Sequence, residues 1–143
     1  MSLPAENIVS LYQRHAEAFD RERGKSLFER AWLDRFTHPL QPGSAILDLG
    51  CGSGEPIARH LIGRSYAITG IDASPAMIGF CESRFPDQVW AVADMRRLRL
   101  GRRFAGIIAW DSYFHQTPSD QRAMFPIFAA HAAPGHVDVH QRT

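Results

Sequence analysis

The stretch that most constrains this chain is ILDLGCGSGEP, residues 46–56. An apolar run carrying Asp48 leads straight into glycines at 50, 52 and 54, and Glu55 and Pro56 follow. A buried strand that turns on glycines into a helix is a nucleotide-binding corner. Glycine adopts positive φ freely and lets a ligand approach the backbone, and the following helix offers free N–H groups. The spacing does not fit the dinucleotide pattern G-x-G-x-x-G, because Glu55 stands where the third glycine belongs. Two carboxylates beside the turn would repel a pyrophosphate. They suit a ligand with a cationic group and no phosphate.

Two more acidic residues follow at matching places. Asp72 closes the apolar run YAITGID, where such a carboxylate accepts from ribose hydroxyls. Asp94 follows QVWAVA, where it can accept from an adenine amino group. Three acidic residues on three successive strand ends converge on the crevice where open α/β sheets bind ligands.

The rest of the chain supports that architecture. Residues 5–36 read as two helices divided by Gly24, and 37–44 as a proline- and glycine-rich linker. Strands AILDLG, YAITGID, QVWAVAD and FAGIIAWD then alternate with helices EPIARHLI and SPAMIGFCESRF. Ser74 is placed to cap the second of these, with Pro75 at its first position. SDQRAMFPIFAAHAAPG reads as a last helix, capped by Ser119 or Asp120 and kinked at Pro126. Alternation of this kind predicts an α/β fold, a Rossmann-like doubly wound parallel sheet with helices on both faces.

Bulk properties narrow the function classes. The 143 residues suffice for one domain, and 45% apolar with 22% charged residues is ordinary for a globular protein. A formal net charge of +1 gives no global field toward nucleic acid or membrane. The start MSLPAENIVS does not have the form of a signal peptide, and no apolar run reaches membrane-span length. Cys51 and Cys81 form neither a metal spacing nor a disulfide framework, which fits a reducing cytoplasm. The histidines lack metal-ligand spacing, so no metal is expected.

The motifs ILDLGCGSG, TGIDASPAMI, VADM and FAGIIAWDSYFH resemble the class I S-adenosylmethionine-dependent methyltransferases, in particular their small-molecule branch. The resemblance spans roughly residues 8–135. It implies S-adenosyl-L-methionine as cofactor and a small-molecule methyl acceptor. By it, Asp48, Gly50, Cys51 and Gly52 border the methionine part of the cofactor and Asp72 holds the ribose. Ala73 and Met77 lie against the adenine, Asp94 and Met95 bind or cover its edge, and Trp110 faces the methionine moiety. YQRHAEAFD resembles the family's N-terminal cover, with Tyr12 and Phe19 closing over the cofactor. The cofactor's sulfonium and ammonium explain the carboxylates. Its preactivated methyl leaves the protein chiefly the task of alignment, so no separate catalytic cluster is expected.

Each residue also has a plainer reading. Asp48 caps the turn, Asp72 serves the following helix N-terminus, Asp94 starts a helical turn, and Met77 and Trp110 are core. His115 is either a general base or a packing residue. The arginines at 96, 97, 99, 102 and 103 are either a nucleic-acid patch or a solvated loop, and the loop is preferred because interleaved aromatics are lacking. DSYF has no proline pair, which argues against a DNA-amino acceptor.

The tail HVDVHQRT departs from the family. It either pairs as a short strand through Val137 and Val139 or reflects a shifted reading frame, and the domain then reads as a 5–36 cover, a 44–135 core and an atypical 136–143 tail. On this expectation the strand order is 3-2-1-4, with the family's remaining strands missing and the fourth strand a bare edge. Such an edge pairs with a second copy or lowers stability. Two alternatives to an active methyltransferase stay open: a cofactor-binding fragment without turnover, and a nicotinamide-dependent oxidoreductase.

Overall fold

The computed structural model describes residues 30–109 and 118–140. Its elements are α1 (Arg30–Thr37), β1 (Ala45–Leu49), α2 (Ile57–Gly63), β2 (Ala67–Asp72), α3 (Pro75–Arg84), β3 (Val89–Val92), a single 3-10 turn (Met95–Arg97), β4 (Phe104–Ala109), α4 (Pro118–His131) and β5 (Ala132–His140). The five strands form one parallel sheet in the order β3-β2-β1-β4-β5.

The apolar runs become central strands because both faces of the sheet are covered. Leu47, Leu49, Ile71 and Ile107 point to one side and pack with Met124 and Phe128 of α4. Ile46, Ile68 and Ile108 point to the other and meet Leu33 and Phe36 of α1 and Ile57 and Leu61 of α2. Each such buried side chain contributes about 1.5–3 kcal/mol of transfer free energy. Two strand glycines leave room for aromatic rings against the sheet. A Cβ at Gly70 would stand 2.3 Å from Trp90, and one at Gly106 would stand 2.6 Å from Phe36.

The sheet corrects one expectation. β4 is not an edge, because β5 pairs along it in parallel from Phe104↔Ala132 to Ala109↔His140, with a register shift between Phe104 and Gly106. The strand therefore begins at Ala132, earlier than the sequence pattern placed it, and α4 ends at His131 rather than running through Ala-Pro-Gly. Among the described residues the edges are β3 and β5, so β4 offers no bare edge to a second copy.

Side chains secure the C-terminal end of α4. Arg103 Nη1 donates to the carbonyl of Ala129 (3.2 Å), one that a helix leaves open at its C-terminus, and to that of Ala132 (2.8 Å), the first residue of β5. Buried His131 accepts at Nε2 from the Leu100 amide (3.0 Å), so its Nδ1 carries the proton and donates to Ile127 O (2.8 Å). Among the described residues no helix is long and apolar enough to cross a membrane.

Candidate functional site

The carboxyl ends of β1, β2 and β3 lie side by side, and the glycine turn leaves from β1, the middle strand of the five. Gly50, Gly52 and Gly54 have φ of +71°, +59° and +86°, the left-handed region that side chains disfavour. The turn is stitched to β2, with the amides of Gly50 and Cys51 both donating to Ile71 O at 2.7 and 3.0 Å. Gly54 packs against the Phe85 ring, where a Cβ would stand 3.0 Å from Cε2.

Asp72 joins two pieces of backbone. Its Oδ2 accepts from Gly52 N and its Oδ1 from Ser74 N, both at 2.9 Å. The carboxylate is buried, and burial pushes its pKa above the ordinary value although the two amides pull the other way. An ionised carboxylate has about four lone-pair sites, so each oxygen keeps capacity for a further donor. Ser74 caps α3 as the sequence suggested, its Oγ accepting from Met77 N at 3.3 Å.

Asp48 is buried in β1, opposite Gly70 on one side and Ile108 on the other. Asp94 starts the 3-10 turn after β3, whose end is held to β2 by Ala93 N donating to Asp72 O at 3.0 Å. Its Oδ1 accepts from the Arg96 amide (2.9 Å) and Nε (2.8 Å), and its Oδ2 from Arg96 Nη2 (2.7 Å). The Arg96 guanidinium holds this carboxyl below the usual carboxylate range.

The other expected residues fall as follows. Ala73 is half-buried at the start of the β2–α3 connection, and Met77 is fully buried in α3. Met95 is half-buried and packs against the cluster that contains Leu47 and Ile71. Cys51 is buried beneath the turn. Tyr12 and Trp110 lie outside the described residues, as do Phe19 and His115.

Two features escaped the sequence reading. Cys51 and Cys81 meet, Sγ to Sγ at 3.9 Å, and Cys81 donates to Gly52 O at 3.1 Å. Burial first, then the Cys81 thiol and the carboxylates of Asp48 and Asp72, raise the Cys51 thiol well above its ordinary pKa. No local spacing signals a pair 30 residues apart. The second feature is the engagement of the arginines. Arg96 pairs with Asp94, Arg102 lies over the Phe104 ring at 4.6 Å, and Arg103 caps α4. The local pattern Asp-x-Arg after a strand was the available signal for the first of these.

The arrangement offers a narrow backbone turn, a carboxylate fixed at the end of β2 and a second at the end of β3. It can accept hydrogen bonds from a ligand that carries hydroxyl or amino groups. Comparison with known proteins decides the family: residues 46–135 match the family described as a methyltransferase domain.

The chain belongs to the class I S-adenosylmethionine-dependent methyltransferases.

This methyltransferase domain is 32% identical over 132 residues to the dTDP-3-amino-3,4,6-trideoxy-alpha-D-glucopyranose N,N-dimethyltransferase of Streptomyces venezuelae, covering 87% of this chain and 55% of that protein. A 59-residue stretch is 46% identical to trans-aconitate 2-methyltransferase of Escherichia coli O6:H1, covering 41% of this chain and 23% of that protein. Among solved structures, SAM-bound CalS10, an amino pentose methyltransferase from Micromonospora echinaspora, matches with a TM-score of 0.73 at 30% identity, over 89% of this chain and 55% of that one. The methyltransferase domain thus spans about half the length of these two sugar methyltransferases. The nicotinamide alternative gains no support from these comparisons.

Proposed function

We propose that this chain binds S-adenosylmethionine across the carboxyl ends of β1, β2 and β3 and transfers its methyl group to a small-molecule acceptor. The observation that carries the reading is Asp72, held by the amides of Gly52 and Ser74 with acceptor capacity left over. When bound, S-adenosylmethionine supplies a methyl group already activated by a sulfonium.

The chain's own residues bind and orient. Asp72 accepts from the ribose hydroxyls, and its anchoring to two amides fixes where the sugar sits. Asp94 accepts from the adenine amino group, with Ala73, Met77 and Met95 against the ring. Asp48 and the turn Gly50, Cys51 and Gly52 border the methionine portion, where negative charge complements its ammonium and sulfonium. Tyr12 and Trp110 complete the enclosure in this proposal. Rate acceleration then comes from holding acceptor, methyl and sulfur in line.

The similarity to amino-sugar enzymes over most of the chain favours a sugar amine as acceptor, ahead of the carboxylate suggested by the shorter trans-aconitate match. Pairing of copies through β4 is no part of the proposal, since β5 occupies that edge. A cytoplasmic setting suits the two free thiols. Nucleic acid is not a proposed acceptor, because Arg96, Arg102 and Arg103 are engaged within the fold.

Transfer of radiolabelled methyl to a panel of amino sugars, nucleotide-linked amino sugars and small carboxylates tests the activity. Labelling of an amine-bearing sugar is the expected result. Labelling confined to carboxylates would reverse the acceptor preference, and labelling of none would contradict transfer by this chain.

A further inference from the structure

The pairing of Asp94 with Arg96 has a consequence for which ligands the site accepts. The carboxylate is gripped by three donors: the Arg96 amide and Nε on Oδ1, and Nη2 on Oδ2, all within 2.9 Å. A two-pronged guanidinium fork fixes the plane of a carboxylate as well as its position. Oδ1 already accepts twice, so the acceptor direction left to an incoming group lies chiefly on Oδ2. Arg96 is itself mostly buried, with 21% of its side chain exposed, against 36% for Asp94. The fork therefore approaches from the protein side and leaves the carboxylate as the more exposed partner.

We infer that Arg96 is a positioning residue that fixes Asp94 as an oriented acceptor, so that the site selects a nucleoside with an exocyclic amino group over one with a carbonyl oxygen there. The inference rests on the proposed cofactor reading, in which Asp94 meets the adenine edge. Its chemistry is simple. A carboxylate kept ionised is an acceptor only, and an amino group donates to it. A carbonyl oxygen at the same place meets lone pairs and leaves the carboxylate without its partner. The guanidinium also cancels the carboxylate's charge, so the pair recognises a neutral amino group by hydrogen-bond direction rather than a cation by attraction. Without the Arg96 side chain only the backbone amide at position 96 still holds Oδ1, the plane of the carboxylate is no longer fixed, and Oδ2 loses its direction.

The test is calorimetric titration of the wild-type chain, Arg96→Ala and Arg96→Lys with S-adenosylhomocysteine and with its deaminated form, S-inosylhomocysteine. The quantity read is the ratio of the two dissociation constants. We expect wild type to favour the adenosyl compound by about tenfold or more. In Arg96→Ala the ratio falls toward one, through weaker adenosyl binding and with inosyl binding little changed. Arg96→Lys keeps the charge without the fork and falls between. It also serves if the alanine variant fails to fold, as judged by circular dichroism.

A wild-type ratio retained in both variants would overturn the inference, as would equal weakening of both ligands, which is the mark of a merely structural arginine. Failure of wild type to bind either compound is a different result. It would remove the cofactor reading and this inference with it.

Discussion

The Gly52 amide donates to Asp72 Oδ2 at 2.9 Å, and this bond joins the glycine turn after β1 to the end of β2. The other oxygen accepts from Ser74 N, where α3 begins. One buried carboxylate thus sets the spacing between two strand ends and the first turn of a helix.

Replacing Asp72 with Asn leaves a single acceptor oxygen for two buried amides. Chemical denaturation should show a loss of about 1–3 kcal/mol at neutral pH. The pH dependence should change as well. Burial raises the native carboxyl's pKa, so the native state binds a proton that the unfolded chain has released. Stability therefore falls as pH rises from the ordinary carboxylate range through the raised value. That segment of the profile should vanish in Asp72→Asn.

Gly70 and Gly79 should respond oppositely to alanine. At Gly70 the new Cβ meets Trp90 at 2.3 Å, and Trp90 cannot easily slip because its Nε1 donates to Phe85 O at 2.8 Å. Gly70→Ala should destabilise by about 1–3 kcal/mol. Gly79 sits exposed within α3 with nothing within 4 Å, so Gly79→Ala should stabilise by roughly 0.5–1 kcal/mol. Thermal melts of the two variants give the signs directly.

His131 holds the segment before β4 to α4 through its two ring nitrogens. His131→Phe keeps the ring's bulk and leaves the Leu100 amide without its acceptor. We expect a loss of about 1–3 kcal/mol on denaturant unfolding, with faster hydrogen exchange at the Leu100 amide.

The thiols should be silent in the native state. Both cysteines are buried, and the Cys51 thiol is held well above its ordinary pKa, so little nucleophilic thiolate forms. A chromogenic disulfide reagent should report no rapidly reacting thiol at pH 8, then two after addition of denaturant. Rapid native reaction of either cysteine would contradict the placement of the pair.

Much of this was legible from local pattern. The central strands are near-continuous apolar runs because helices cover both sheet faces, and Ser74 reads as a cap because Pro75 follows it. The three acidic strand ends followed from the same alternation. β5 was harder to read, because its backbone finds its partner in β4 and the charged stretch around Asp138 carries no strong apolar signal. The Cys51–Cys81 contact arises only when α3 folds back under the turn, a tertiary event that no spacing encodes. The arginines read as a solvated loop when taken together, yet three are engaged, one with a carboxylate, one with an aromatic ring and one with carbonyls at the junction of α4 and β5.

Calorimetric titration of wild type and Asp72→Ala with S-adenosylhomocysteine, and of wild type with NAD, measures whether the carboxylate at the end of β2 holds the cofactor. We expect saturable one-to-one binding of S-adenosylhomocysteine to wild type, at least about tenfold weaker binding to the variant, and no binding of NAD. Binding of NAD alone, or equal affinity of wild type and variant for S-adenosylhomocysteine, would contradict it.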